Sequence, residues 1–183
     1  MSNGELNDRT SGQSECASNS VSELLALPTL AAARSLIGWE ICVETAEGRV
    51  RGRIVETEAY THDDPASHSY GGLTKRNAPM FGKPGTLYVY QVYGMHFCFN
   101  IVTAETGIGE AVLIRAMEPL EGMALMAKRR GDIRDLNLCS GPGKLCQALG
   151  ISLDNSGQML GESNITLFSP TSTITGITET TRI

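Results

Sequence analysis

The chain has 183 residues, 41% of them hydrophobic and 19% charged, with a formal net charge of −5 at pH 7. This length suits one domain with a substantial core. No apolar run approaches the ~20 residues that cross a bilayer, and the first residues lack the basic and apolar pattern of a secretory signal. The acidic balance argues against nucleic-acid binding, which depends on Lys and Arg contacts to phosphates.

The charge is unevenly distributed along the chain. Residues 49–85 carry six Lys or Arg side chains against four acidic ones, and residues 115–144 show the same ratio. A locally basic face on an acidic chain is therefore compatible with the sequence. The five cysteines have no CxxC spacing, which predicts reduced thiols in a cytosolic or nuclear compartment.

The N-terminal part predicts a tail, a helix and two strands. Residues 1–20 are polar and rich in Ser, Asn and Gly, and we expect them to be disordered. A helix is predicted from Pro28 to Leu36, ending at Gly38. Two strands follow, joined by a turn at residues 46–48; their sequences are "WEICVET" and "RVRGRIVETEAY".

The middle of the chain predicts a long loop and a hairpin. The stretch from Thr61 to Pro84 is rich in Pro and Gly, and so long a loop in a compact domain is usually functional or disordered. A strand near residues 86–92 follows, with Gly94 at the turn and "HFCFNIV" as the returning strand. A turn at Gly94-Met95 would place Tyr90 opposite Phe99. A turn over residues 94–96 would place it opposite Asn100, which we favour.

The C-terminal part predicts the strands "EAVLIRAME" and "NITLF" and two helices. Pro119 fits the first turn of a helix that ends around Arg130, with Gly131 as its stop. Ser140 is expected to cap a second helix, "KLCQALG", which Gly150 terminates. Strands grouped before helices favour a single α+β domain: a mainly antiparallel sheet with flanking helices and a protruding hairpin.

Alternation along "RVRGRIVETEAY" decides which side chains share a face. The arginines fall on one face, which is most simply solvated. Glu58 falls on the other face with Ile54 and Tyr60. A carboxylate beside apolar and aromatic groups needs a partner or changes its pKa.

Arg115, in the apolar strand "VLIRAM", is the candidate partner, because a buried arginine is seldom left without an anion. If the two meet, Arg115 keeps Glu58 ionised, as a general base requires. A structural ion pair without chemistry is the alternative, and alternation alone favours it.

Two further motifs give weaker signals. Four potential metal ligands lie on the long loop: His62, Asp63, Asp64 and His68. Their spacing matches no common ligand pattern, so no metal site is expected. "SGPGK", at residues 140–144, departs from the phosphate-loop pattern because Leu138 and Leu145 replace its required residues. It predicts an ordinary helix start, or at most a backbone phosphate contact.

Three of the five tyrosines fall within six positions: Tyr88, Tyr90 and Tyr93. Tyr88 and Tyr90 share a strand face, whereas Tyr93 is out of phase and adjoins Gly94, so we expect it at or near the hairpin tip. An exposed tip aromatic can act as a wedge between base steps. It can equally lie flat on its own hairpin, and the residues alone do not decide.

These residues occur in long segments whose order resembles that of the alkyladenine (3-methyladenine, methylpurine) DNA glycosylase family. The segments are "AARSLIGWEI", "IVETEAY", "ASHSYGG", "RNAPMFGKPGTLYVYQVYGMHFCFNIV", "AVLIRAMEPLEGM" and "LCSGPGKLCQALGI". The resemblance runs from about residue 30 to the end. It implies a DNA glycosylase domain over residues 21–183.

The resemblance implies a monofunctional enzyme of base-excision repair. Such an enzyme flips alkylated or deaminated purines (3-methyladenine, 7-methylguanine, hypoxanthine) out of duplex DNA and hydrolyses the N-glycosidic bond. It implies no cofactor, damaged duplex DNA as partner, no membrane and a monomer. The expected location is the bacterial cytoplasm, at the nucleoid, or the eukaryotic nucleus.

The resemblance also implies roles for individual residues. Glu58 would activate water and Arg115 would orient it. The base pocket would be formed by Tyr60, His68, Tyr90 and Asn100, with Asn100 disfavouring the exocyclic amine of guanine. Tyr93 would intercalate into the DNA. Candidate phosphate contacts are Lys75, Arg76 and Lys144.

One feature departs from the family pattern. Family members continue beyond the position where this chain ends, at Arg182-Ile183, so we expect a truncated domain. This leaves an alternative, a lesion-binding DNA protein with impaired catalysis. A small-molecule hydrolase using Glu58 and Arg115 ranks last, because a tip tyrosine gives it no support.

Overall fold

The computed structural model describes residues 21–133, 137–171, 174 and 176–181. The predicted tail, residues 1–20, lies outside this range. The strands are β1 (Glu40–Thr45), β2 (Gly48–Tyr60), β3 (Leu87–Val92), β4 (His96–Val102), β5 (Ala111–Glu121) and β6 (Ile165–Phe168). The α-helices are α1 (Thr29–Ser35), α2 (Met123–Arg129) and α3 (Pro142–Leu149), and residues 21–25 are also helical. Short 3-10 helices span Ala78–Phe81 and Leu153–Asn155.

The six strands form one antiparallel sheet in the order β3-β4-β5-β2-β1-β6. The predicted α+β fold is therefore confirmed, as are the β1–β2 turn and the predicted strands of the hairpin. Within the described ranges, no helix combines the length and apolar character needed to cross a membrane.

The sheet separates two apolar clusters. The larger cluster lies on the helix-covered face, where β3 contributes Leu87 and Val89 and β4 contributes Phe99. The smaller cluster contains Tyr88 and Val102 from the alternate positions of the same strands. Because side chains alternate along a strand, consecutive residues of β3 and β4 serve opposite faces. The smaller cluster marks the face that carries the candidate site.

A β-bulge in β2 makes the observed alternation of its side chains differ from the predicted one. Ile54 pairs with Met117, Glu56 with Ala116 and Thr57 with Ile114, so the ladder passes over Val55 of β2 and then Arg115 of β5. Ile54 and Ala59 both pack in the larger cluster although an unbroken strand would put them on opposite faces. The prediction that Glu58 shares a face with Ile54 was therefore wrong, because a bulge shifts the alternation by one residue.

The two predicted helix starts also needed correction. Pro119 does not begin a helix: it pairs with Gly52 within β5, and α2 begins after Gly122, whose φ is 75°. Ser140 does not cap α3. The residue at the cap position is Gly141, so no side chain forms a capping hydrogen bond there. The predicted stop at Gly150 is confirmed, with the left-handed conformation (φ 75°) common after a helix.

The hairpin register differs from both predicted registers. Tyr88 pairs with Asn100 and Tyr90 pairs with Cys98, so the connecting residues are 93–95. The favoured prediction, Tyr90 opposite Asn100, was wrong. The reason is that Tyr93 itself takes a positive φ of 51°, so the turn starts one residue before the glycine.

The close approach at Gly122 generates a stability prediction. A Cβ there would lie 2.4 Å from the Arg49 carbonyl oxygen, whereas at Gly131 (φ 77°) no described atom lies within 4 Å. We expect Gly131→Ala to lower the free energy of unfolding by about 1–2 kcal/mol, the cost of a left-handed alanine. Gly122→Ala should lose at least about 1 kcal/mol more because of the overlap. Equal losses in urea denaturation would contradict the close approach.

Candidate active site

Four adjacent strands contribute polar and aromatic side chains to the face opposite the larger cluster. The contributing residues are Glu58 and Tyr60 from β2, Arg115 from β5, Cys98 and Asn100 from β4, and Tyr88 and Tyr90 from β3. The long predicted loop, residues 61–84, supplies His68, Met80 and Phe81 to the same side. The structure therefore brings most of the predicted site residues together.

Arg115 lies between two carboxylates. Its Nη1 donates a hydrogen bond to Glu58 Oε2, and its Nε donates to Glu56 Oε1 at 2.9 Å. The Glu58 side chain is only 13% exposed, whereas that of Glu56 is 56% exposed. Burial by itself lowers the pKa of Arg115, but the two carboxylates outweigh it and raise that pKa above its ordinary value. The predicted meeting of Glu58 and Arg115 is confirmed.

Glu56 is a second partner that sequence reasoning missed. In an unbroken strand it would face the same way as Ile54, into the larger cluster. The bulge at residues 54–56 instead leaves Glu56 exposed beside Arg115. The available signal was its spacing of two residues from Glu58, which places both carboxylates on one face once the bulge has been passed.

An aromatic cluster adjoins the ion pair. The His68 and Tyr90 ring centroids are 4.4 Å apart at an interplanar angle of 66°, and the Tyr88 and Tyr90 centroids are 5.3 Å apart. Tyr60 packs against the same cluster. Tyr88 was given no role from the sequence, although its spacing of two residues from Tyr90 already put both on one face.

The hydrogen bond between Tyr88 and His68 indicates which nitrogen of the neutral imidazole carries the proton. The Tyr88 hydroxyl and His68 Nδ1 are 2.7 Å apart, and burial raises the pKa of Tyr88 to about 12. Burial and the cation of Arg76 lower the pKa of His68, so its imidazole is neutral at pH 7. A buried hydroxyl needs an acceptor, and Nδ1 accepts when the imidazole proton is on Nε2. We assign His68 that tautomer on this argument.

Cys98 lies at the floor of the site, on the strand position paired with Tyr90. Burial raises the pKa of the Cys98 thiol and that of the neighbouring Tyr90 hydroxyl. A protonated, buried thiol is a poor nucleophile. Sequence reasoning missed this contact because it depends on the hairpin register.

Asn100 is buried two residues along β4 from Cys98. Its Nδ2 donates to the Tyr88 carbonyl at 2.9 Å, and it pairs with Leu113 of β5. The structure therefore places Asn100 on the site face, opposite Tyr88 instead of Tyr90. Its amide is held in one orientation by that hydrogen bond.

Asn77 orders the loop that carries His68. Its buried side chain donates from Nδ2 to the carbonyls of His68 and Gly72, at 2.8 and 2.9 Å, and accepts from the Thr74 N–H at 2.6 Å. All three bonds join parts of one loop, so the loop is shaped by an internal network. Sequence reasoning missed Asn77, because nothing in its local pattern shows burial.

Two residues of the weak metal motif, His62 and His68, have different partners. His62 Nδ1 lies 2.6 Å from Glu110 Oε1, whereas His68 turns towards Tyr88. Within the part of the chain that the structure describes, no three His, Cys, Asp or Glu side chains are grouped as metal ligands.

The hairpin tip, Lys75 and Arg76 lie near the aromatic cluster, whereas Lys144 lies on α3, which packs against the other face of the sheet. Tyr93 is 93% exposed, so its predicted place at the tip is confirmed. Lys75 and Arg76 line a groove of about 550 Å³ together with Tyr90. Lys144 lies in the first turn of α3, where its Nζ donates to Ser140 Oγ at 3.0 Å. Cationic groups therefore flank the site although the chain is acidic overall.

This chain is similar to one family model and to relatives in other organisms. The family model described as methylpurine-DNA glycosylase (MPG) matches residues 23–183. A protein of Francisella tularensis is 50% identical over 139 residues (76% of this chain, 72% of the relative), and one of Methanoculleus marisnigri is 51% identical over 142 (78% and 73%). Both are named "Putative 3-methyladenine DNA glycosylase". These matches show that the chain belongs to the methylpurine-DNA glycosylase family.

Proposed function

We propose that the chain is a monofunctional DNA glycosylase that releases alkylated and deaminated purines from duplex DNA. The expected substrates are 3-methyladenine, 7-methylguanine and hypoxanthine. The observation that carries the proposal is the Glu58–Arg115 ion pair beside the His68–Tyr90 ring pair on one sheet face. A carboxylate and a stacking pocket are the two parts that hydrolysis of a flipped base requires.

Glu58 acts as the general base for the attacking water. Arg115 holds the carboxylate and favours its ionised form, so it can accept a proton as water attacks the anomeric carbon. Cationic lesions such as 7-methylguanine leave readily, so one carboxylate suffices where most glycosidases use two. Because water is the nucleophile, the reaction needs no lysine amine and leaves the abasic strand intact.

Tyr60, His68 and Tyr90 form the pocket that stacks on the flipped base. Their electron-rich faces attract a cationic purine. The lowered pKa of His68 matters here, because a neutral imidazole does not repel a positively charged lesion. The hydrogen bond from Tyr88 supports this neutral form.

Asn100 disfavours normal guanine. Its amide is buried and already donates to the Tyr88 carbonyl, so it cannot turn freely to meet the exocyclic amine of guanine. If its remaining N–H faces the base, two donors oppose each other and polar hydrogens are left unsatisfied. The selectivity therefore comes from a polar mismatch and not from pocket size alone.

Tyr93 and the flanking cations bind the duplex. The exposed Tyr93 ring fills the space that the flipped nucleotide leaves, as apolar wedges do between base steps. Lys75, Arg76 and Lys144 contact backbone phosphates around the tip. Local cations thus supply the electrostatic attraction that the net charge lacks.

The assignment of Glu58 is tested by Glu58→Gln. It should bind lesion-containing duplex as the wild type does, while single-turnover base release falls about 100- to 10,000-fold, the usual contribution of a general base. Glu56→Gln is the matched control: it removes the more exposed partner of Arg115 and should cost less than about fivefold. Undiminished release by Glu58→Gln would refute the assignment.

The neutral His68 is tested by Arg76→Gln. Removing this cation should raise the pKa of His68, because a positive neighbour disfavours the imidazolium. NMR titration of the imidazole measures the pKa, and Lys75→Gln serves as the control that leaves it unchanged. As the pH is lowered, release of cationic 7-methylguanine should decline at a higher pH in Arg76→Gln than in wild type. An unchanged His68 pKa would contradict the electrostatic argument.

The role of Tyr93 is tested by Tyr93→Asn. Asparagine tolerates a positive φ far better than tyrosine, so the variant should be more stable, by up to about 1 kcal/mol. Base release should nevertheless fall, because no ring fills the stack. Tyr93→Phe keeps the ring and should match wild type in both thermal unfolding and release. Full release by Tyr93→Asn would show that no wedge is needed.

A further inference from the structure

We propose that Gln91 is a positioning residue that holds Tyr93 ready for insertion and links the hairpin tip to the base pocket. The inference rests on the proposed function, in which Tyr93 enters the duplex. Its observations are separate: they concern the hydrogen bonds of β3 on both sides of Tyr90. No sequence pattern distinguished this glutamine from any other exposed polar residue.

The tip conformation is one that a tyrosine does not favour. Tyr93 and Gly94 both have positive φ, 51° and 72°, which is the signature of a turn that normally selects Asn-Gly. The Tyr93 side chain is almost fully exposed, so packing does not hold it. The backbone bond that closes the turn, from the Met95 N–H to the Val92 carbonyl, is 3.3 Å long. Further support must come from side chains.

Gln91 supplies that support. Its Nε2 donates to the Gly94 carbonyl at 2.7 Å, the shorter of the two bonds across the turn. The residue is exposed, so this contact adds nothing to a buried core. Ordering a glutamine side chain costs conformational entropy, and the one feature that the bond orders is the tip that carries Tyr93.

The same residue also contacts the pocket loop. The Gln91 carbonyl accepts a hydrogen bond from Arg76 Nη2 at 3.4 Å. Burial is the larger cause of the lowered pKa of His68, and the positive charge of Arg76 is the second. Gln91 follows Tyr90, whose ring meets His68. One residue of β3 therefore joins the loop, the stacking pocket and the tip.

This arrangement has a direct consequence for base flipping. A base remains out of the stack only while its place is filled, so pocket occupancy and Tyr93 insertion are favourable together. A tip held by Gln91 enters the stack without first being ordered, which reduces the entropy lost on insertion. Gln91 therefore acts on the flipping equilibrium and leaves the chemistry at Glu58 unchanged.

The test is a double-mutant cycle between Gln91→Met and Tyr93→Ala. Methionine keeps the length of glutamine without a donor or a charge. With duplex containing hypoxanthine and protein in excess, Gln91→Met should slow base release about two- to tenfold, the usual worth of one neutral hydrogen bond. In the Tyr93→Ala background the same change should have no effect, because Gln91 acts through that ring. A 2-aminopurine beside the lesion should report less unstacking in Gln91→Met.

Gln158→Met is the matched control. Gln158 is also exposed and also donates from Nε2 to a backbone carbonyl, that of Asp154 at 2.9 Å. Its carbonyl accepts from the Leu87 N–H at 2.8 Å, at the end of β3 opposite to the tip, and its side chain has no contact with residues 93–95 among the hydrogen bonds of the described residues. It should leave base release and 2-aminopurine fluorescence at wild-type values. Hydrogen exchange of the free protein should show faster exchange at residues 93–95 in Gln91→Met only.

Three outcomes overturn the proposal: release by Gln91→Met equal to wild type, losses that add with Tyr93→Ala, or an equal loss in Gln158→Met. Failure of the wild-type chain to release any base refutes the proposed function instead. Hydrogen exchange then still decides whether Gln91 orders the tip: unchanged exchange at residues 93–95 would refute that as well.

Discussion

The site depends on how Arg115 is neutralised. An arginine on a strand that is otherwise buried requires anions, and β2 supplies two because a bulge shifts its alternation between Ile54 and Glu56. Before the bulge β2 serves the larger cluster, and after it the strand presents Glu58 to the opposite face. The compensating irregularity in β5 falls at Arg115 itself, which the ladder passes over between Ala116 and Ile114. Bulges are common beside active sites because they re-aim side chains in this way.

Around this ion pair, burial keeps the other titratable groups uncharged. It raises the pKa values of Tyr88, Tyr90 and Cys98, and it lowers that of His68 with help from Arg76. The two directions have the same cause, because a poorly solvated site disfavours whichever form is charged. The result is a neutral aromatic surface next to one paired carboxylate. Such a surface suits a cationic purine and leaves proton transfer to one group.

The hairpin tip shows a conflict between stability and the proposed function. A tyrosine occupies a left-handed position that asparagine or glycine would take at lower cost, and its ring has almost no contact with the rest of the chain. Strain of this kind is found where function requires it. The Gln91 side chain donates a hydrogen bond to the Gly94 carbonyl of the same turn, which in our proposal offsets part of the strain.

The sequence alone indicated most of the element types, the α+β class, the resemblance to the family and Arg115 as a candidate partner of Glu58, because these follow from hydrophobic periodicity, turn residues and long motifs. It could not determine the register at Tyr90, because a positive-φ tyrosine shifts the hairpin turn by one residue. It could not determine the alternation at Glu58 either, because the bulge reverses which face the later residues of β2 occupy. The buried roles of Asn77, Cys98 and Tyr88 likewise emerged only in three dimensions. Cys98 pairs with a residue of another strand, Tyr88 meets His68 of the loop, and Asn77 bonds within its own loop. Only tertiary packing decides which of these polar groups are buried and must satisfy one another.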